Sequence, residues 1–347
     1  MHPANDSWQY VPPWAAQPRP LPRRRRPGRW ILGAIALLAV IAATAAIAVH
    51  WDRRQRAVDA PKAAVMSDVA SANDVGPVGI ITEDPSCAPW GPINNNRIGI
   101  LKNGWNKRDR SIPAGAWTPE VRAQYHEVGQ AMRKAADQSV PLAKLTTHRV
   151  MRELYGQFIT FARVYADSIP TYEPQDDNAA IGTATAAEVI TDVCNAITAG
   201  SAAARASTVT HTNSQRPGSS GEQTLFADPV SAYCNDWRSA LNQYTGNPAV
   251  LHWSKFDPTI PRWRWSPEQS KATEAVIPVF ESFANTLERI GKKGPNAVFY
   301  DFAILSAQYR RAYVRAMDTY VPSDDHLYRV GQYGPGLVLA ACEPPPR

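Results

Sequence analysis

Two pairs of adjacent carboxylates, Asp176-Asp177 and Asp324-Asp325, are the residues of this chain whose type and spacing come nearest to chemistry. Neighbouring carboxylates bind a cation or share acid–base work. An Asp just ahead of a helix also serves as its cap, and capping alone accounts for both pairs; it is the reading we prefer. Two further carboxylates recur with a lysine two positions upstream: Lys107 with Asp109, and Lys255 with Asp257. On an extended loop such residues share a face, where they form either a local ion pair or a ligand contact. Trp263, in "PRWRW", is an exposed-aromatic candidate able to stack on a sugar or anchor a partner.

Other chemistries find little support. The patterns G-x-S-x-G, H-E-x-x-H, the phosphate-binding loop and the D-x-D-x-D-G calcium loop are all missing from the sequence. No metal site, cofactor or catalytic residue is expected, and the chain reads as a binding protein rather than an enzyme. The runner-up is an envelope hydrolase or lyase using Asp176/Asp177 and Asp324/Asp325. A third reading is a carrier of lipid or another apolar ligand.

The carboxylate pairs lie 148 positions apart, and that shift runs through the chain. Trp105, Lys107, Asp109, Trp117 and Glu120 fall on Trp253, Lys255, Asp257, Trp265 and Glu268. "TYEPQDD" falls on "TYVPSDD", and Cys194 on Cys342. From 105 to 194 the register needs no gap and gives 20 identities in 90 positions, many of them Trp, Pro, Asp and Cys. We read this as an internal duplication. Upstream, C-x-x-W at Cys87–Trp90 matches Cys234–Trp237 with a one-residue slip. No histidine occurs in both copies, which argues against a His-based site older than the duplication. Four cysteines allow three pairings. The duplication selects Cys87–Cys194 and Cys234–Cys342, one bridge closing each copy.

The elements that must position these residues are helical. Thr118-Pro119 and Ser266-Pro267 read as a cap followed by proline at the first helical position. Apolar residues then recur at spacings of three and four: Val121, Tyr125, Val128 and Met132 in the first copy, and Val276, Phe280, Phe283, Leu287 and Ile290 in the second. A second helix over about 146–168 carries Val150, Leu154, Phe158, Phe161 and Tyr165. A third, over about 179–199, carries Cys194. Its counterpart holds three glycines from Gly331 and is expected to be shorter and looser. The segment between each C-x-x-W and W-[TS]-P-E is expected to be irregular, a long Trp/Pro loop. The fold class is all-α.

The formal charge of +6 is concentrated at the N-terminus. Residues 1–51 hold six arginines and one aspartate, so the remaining chain is nearly neutral. The basic balance therefore reports topology and gives no reason to expect a nucleic-acid partner. Ile31 to Val49 is uncharged and, at 1.5 Å per residue, spans roughly the 30 Å hydrocarbon core. Trp30 and Trp51 mark its edges, and the larger arginine cluster precedes it. We expect an uncleaved signal-anchor with a cytoplasmic N-terminus and an exported C-terminal part in a disulfide-permissive compartment. The rival is a cleaved signal peptide; Ala46-Ile47-Ala48 resembles a cleavage site, but the apolar run exceeds the usual length.

The expected organisation is thus a Pro/Arg-rich tail (1–29), a transmembrane helix (30–51), a stalk (52–86), copy one (87–197), a flexible linker (198–233) and copy two (234–343). This layout of Pro-Arg tail, Ala-rich anchor and Cys-bridged outer domain resembles the single-pass exported proteins of actinobacteria, mycobacteria in particular. The resemblance rests on residues 1–60 and the general layout. It implies an envelope accessory protein at the cell membrane, with the bilayer and an envelope protein, glycan or lipid as partners. The expected function is a non-catalytic, membrane-anchored binding or scaffold module. A groove between the copies, with Trp263 on one wall, is the expected binding surface.

Overall fold

The computed structural model describes residues 69–210, 232–294 and 296–343. The tail and the expected span at 30–51 lie outside the described residues, as does most of the linker. Among the described residues there is no strand, and no helix is long and apolar enough to cross a membrane. The fold is all-α.

The helices are α1 (Cys87–Leu101), α2 (Pro119–Leu145), α3 (Arg149–Ser168), α4 (Asp177–Thr198), α5 (Ser201–Ala206), α6 (Ala232–Thr245), α7 (Pro248–Trp253), α8 (Pro267–Gly291), α9 (Ala297–Ala316) and α10 (Asp325–Ala341). α2 and α8 begin at the expected caps. Thr118 Oγ1 accepts from the Val121 amide at 3.3 Å, and Ser266 Oγ from the Gln269 amide at 3.0 Å. Proline follows each cap, where its missing N–H costs nothing. The predicted stripes point inward: Tyr125, Val128, Met132, Leu154, Phe158, Phe161 and Tyr165 are buried, as are Val276, Phe280, Phe283, Leu287 and Ile290.

Helix starts and turns recur at the 148-residue shift. α2 and α8, α3 and α9, and α4 and α10 start in register. So do the single turns Ala114–Ala116 and Arg262–Arg264, Ile169–Thr171 and Met317–Thr319, and Pro174–Asp176 and Pro322–Asp324. Disulfides Cys87–Cys194 and Cys234–Cys342, with Cα separations of 5.2 and 5.7 Å, tie α1 to α4 and α6 to α10. The halves meet through α4 and α10, which run antiparallel. Asp192, late in α4, faces His326 at the start of α10, while Asn178 at the start of α4 donates to the Glu343 carbonyl at 2.8 Å. The described residues form one compact unit.

Four expectations need correction. The segments after each C-x-x-W are not wholly irregular: α1 continues through Gly91 and Pro92. Trp90, 1% exposed, packs edge-on to Tyr155 and Phe158, and that burial overrides weak propensity. The stalk ends early. Val78 and Ile81 are buried, and the Ile81 amide donates to Tyr309 Oη at 3.1 Å, so the chain joins the core soon after residue 69. The first part of the expected linker is α5, with Ala202 fully buried. α10 is shorter than α4 but not loose. A Cβ on Gly331 would meet the Arg310 backbone at 3.1 Å, and one on Gly334 would meet Ser306 Oγ at 2.2 Å. These glycines allow α10 and α9 to approach closely.

Candidate functional site

In each half the loop before the Pro-capped helix folds over the end of the helix pair and builds an aromatic box. In the first half, Trp105 stands edge-on to Tyr165 (5.9 Å, 76°), and Trp117 lies against Tyr172 (5.3 Å, 32°) and Tyr125 (3.9 Å). Trp117 Nε1 donates to the Ile112 carbonyl at 2.9 Å and Tyr172 Oη to the Arg110 carbonyl at 3.1 Å, which pins the loop. Gly104 at φ 95° makes the turn into Trp105; a Cβ there would also meet Gln124 Nε2 at 2.9 Å.

This box is filled from within the chain. The Arg108 guanidinium lies 3.3 Å from the Trp105 ring centroid and is ion-paired with Asp177. Arg110 Nη1 adds a second contact to Asp177 at 3.3 Å. Asp177 is buried, so its charge is matched where it stands. Burial raises the phenol pKa of Tyr165 and of Tyr172, so neither is an acid–base group near neutrality.

The second half repeats the frame and changes the contents. Trp253 meets Tyr313 at 6.0 Å and 74°, and Trp265 meets Tyr320 at 5.5 Å and 39°. Trp265 Nε1 donates to the Ile260 carbonyl at 2.8 Å and Tyr320 Oη to the Pro258 carbonyl at 2.6 Å. At the positions of Arg108, Arg110, Tyr125 and Ala180 stand Phe256, Pro258, Thr273 and Tyr328. Both arginines are gone; the Tyr125 ring opposite the Trp gives way to threonine, while a new ring, Tyr328, stands 5.0 Å from that of Trp253. What remains is a cavity of about 130 Å³ walled by Trp253, Trp265, Tyr313, Tyr320 and Tyr328, with Asp325 among its lining. Among the described residues, the Asp325 carboxylate has neither an ion-pair nor a hydrogen-bond partner. Its pKa is raised, chiefly by burial; Asp192 adds to the shift while Arg329 and His326 oppose it. The last two are committed elsewhere, each 3.0 Å from Asp192.

The sequence candidates divide accordingly. Asp176 and Asp324 cap: each accepts from the backbone amide three residues upstream, of Glu173 at 2.8 Å and of Val321 at 3.1 Å. Asp324 also pairs with Arg205 of α5 at 3.0 Å. Asp177 binds Arg108, and Asp325 lines the cavity. Asp109 and Asp257 fold back on their own loops, accepting from Ser111 and Thr259, which lowers both pKa values. Asp257 also lines the second-half cavity, so the structure brings it together with Asp325. Lys107 and Lys255 are exposed, and no ion pair to Asp109 or Asp257 forms among the described residues. The two Asp pairs sit at opposite ends of the antiparallel α4–α10 seam and do not form one site. Trp263 is 74% exposed, as expected, but does not line the cavity. The expected groove between the halves is occupied along α4 and α10 by side-chain packing; a Cβ on Gly336 would lie 3.3 Å from Thr185 Cγ2, and Arg329 reaches across to Glu188 at 3.1 Å.

Sequence reasoning passed over Arg108, whose exchange for Phe256 was visible in the aligned halves. It also passed over two buried arginines that carry no repeat signal. Arg149 of α3 holds Asp301 of α9 at 2.8 Å. Arg310, fully buried, sits among the rings of Tyr244, Phe280 and Tyr328, 4.7–5.1 Å from their centroids, and donates to the Gly331 carbonyl at 2.8 Å.

Comparison with known proteins covers most of this body. No solved structure matches. An uncharacterised protein of Mycolicibacterium smegmatis (strain MKD8) is 43% identical over 325 residues, which is 91% of this chain and 85% of its own. That alignment extends beyond the helical body into the residues ahead of it. A family model described as Mycobacterial ESX-1 associated protein matches residues 69–345, the stretch that opens where the chain joins the core and closes just past the second disulfide. The chain therefore belongs to the mycobacterial ESX-1 associated protein family.

Proposed function

We propose that this protein is a membrane-anchored binding module, exposed on the outer side of the plasma membrane and serving a secretion-related role. Its body is read as a duplicated helical unit, each copy closed by its own disulfide. The uncharged run at 31–49 with arginines ahead of it supports the anchor and its orientation. The two disulfides suit an oxidising compartment. The family's description supports the link to secretion. The duplication reading is supported by the register of helix starts and by the repeated Trp–Tyr geometry of the two boxes.

The observation that carries the binding reading is the second-half cavity. It is a formed aromatic box with an unmatched carboxylate, in a body whose other recurrent carboxylates are committed to caps, turns and one ion pair. Binding needs such a pocket; acid–base chemistry through the Asp pairs would need carboxylates that cap and pair far less. Topology is tested with a reporter active only outside the membrane, fused at residue 347 or at residue 5. Activity at 347 and silence at 5 is expected, and the reverse removes the exported-module reading. The role is tested by comparing the secreted proteins of a mycobacterial strain lacking this chain with those of the complemented strain; identical profiles overturn the secretion link.

A further inference from the structure

We propose that the second-half cavity is a receptor for the guanidinium group of an arginine side chain presented by a partner protein, bound as the first-half box binds Arg108. The proposal deepens the binding-module reading and rests on it for its biological setting. Its physical basis is the contrast between two boxes of one frame.

The first box shows what the frame accepts. A planar guanidinium lies on the indole face of Trp105, its Nη2 donating to the Asp177 carboxylate at the start of α4 and its Nη1 to the Trp105 carbonyl at 3.3 Å. Ring stacking by a flat cation whose separate N–H groups reach a carboxylate and a carbonyl at once suits arginine and not lysine, whose ammonium is a compact, strongly hydrated point charge. The second box keeps both tryptophans, both tyrosines and the carboxylate, and loses the arginine. The loss is not made good. With Phe256 in place of the arginine and the Tyr328 ring 5.0 Å from that of Trp253, about 130 Å³ stays open, and neither Arg329 nor His326 turns to Asp325. The dipole of α10 does not explain the difference, because α4 offers Asp177 the same environment. Asp325 is half-buried and, unlike Asp177, has no cation in contact with it among the described residues; local departures of this kind concentrate at functional sites. Asp257 at the cavity lining, ionised because Thr259 lowers its pKa, adds a second negative charge. The site is therefore anionic, aromatic and large enough for a flat four-atom head group. A protein-borne arginine is the occupant we commit to, because Arg108 reaches its box from a backbone loop with only the head group and stem inserted.

The experiment uses the full chain in nanodiscs, labelled with 5-fluorotryptophan, and follows the fluorine signals of Trp253 and Trp265, each assigned by replacement with phenylalanine. The probes are the blocked peptide acetyl-Ala-Arg-Ala-amide, its lysine analogue and free arginine. The arginine peptide should shift both signals saturably, and the lysine peptide should bind about tenfold more weakly or worse. Asp325→Asn should weaken the arginine peptide by at least about tenfold without unfolding the chain. Phe256→Arg supplies an internal occupant. It should raise the melting temperature and abolish the response to the peptide, which separates a blocked site from a misfolded one. The proposal fails if the wild type shows no saturable shift, if lysine binds as well as arginine, or if Asp325→Asn binds unchanged. It fails also if Phe256→Arg folds normally and still binds. Tighter binding of free arginine than of the peptide would overturn the protein-borne source. None of these outcomes depends on which side of the membrane the body faces or on secretion, so failure of the wider functional reading stays distinguishable.

Discussion

The ion pair between Arg149 and Asp301 is a buried link between the halves, and its removal has a calculable effect. Arg149 Nε lies 2.8 Å from Asp301 Oδ2 and Nη2 lies 3.4 Å from Oδ1, with side-chain exposures of 5% and 0%. The same guanidinium donates to the carbonyls of Asp74 at 2.8 Å and Gly76 at 3.0 Å, fastening the incoming chain over both halves. Replacing Arg149 with methionine keeps most of the volume and leaves the buried Asp301 carboxylate without this partner. Breaking such a pair from one side costs roughly 3–5 kcal/mol. For a body of this size each kcal/mol moves the midpoint by about 2–4 °C, so Arg149→Met should lower it by roughly 6–20 °C, measured by far-UV circular dichroism with the disulfides intact. The double variant Arg149→Met/Asp301→Leu removes both charges and should regain much of the loss, because a buried pair replaced by apolar groups is often neutral. A loss below about 1 kcal/mol for the single variant would show that water reaches the pair. A double variant no better than the single would place the cost in the lost carbonyl contacts and refute the charge argument.

Equivalent aspartates should respond in opposite directions. Asp177→Asn should destabilise by roughly 1.5–3 kcal/mol, since it strips a charged partner from Arg108. Asp325→Asn should leave the midpoint at neutral pH unchanged or higher. Because its folded pKa is raised, the native state holds that proton more tightly, so Asp325 costs stability once the pH exceeds its folded pKa. The gain from asparagine should shrink as the pH falls through the aspartate range and vanish below about pH 3, where aspartate is protonated in both states. Replacing Cys87 and Cys194 together by alanine should cost roughly 2–5 kcal/mol in denaturant unfolding, because the bridge joins residues 107 apart. Trp263→Ala should change stability by less than about 0.5 kcal/mol, given its 74% exposure; a larger loss in the same melts would make Trp263 a packing residue.

Much of the local architecture is written in the sequence. Thr118-Pro119 and Ser266-Pro267 mark helix starts because capping is a short-range matter of one side chain and the next few amides. The inward stripes of α2, α3 and α8 follow from their three–four spacing. The 148-residue shift, applied to four cysteines, singles out the bridges that the structure contains. Other features depend on what lies across the fold. α1 persists through Gly91 and Pro92 because Trp90 is buried against α3, and no local rule counts a partner some 65 residues away. The glycines of α10 read as looseness in the sequence; in the structure they permit close approach, since the neighbour they touch is α9. The Asp pairs look alike in the chain and differ in place. One carboxylate of each pair caps a turn, Asp177 is answered by Arg108, and Asp325 faces an empty aromatic box. Sequence fixes which residues recur and how each begins its helix. Only tertiary packing decides whether a buried charge finds its partner, because that depends on side chains brought together from distant loops.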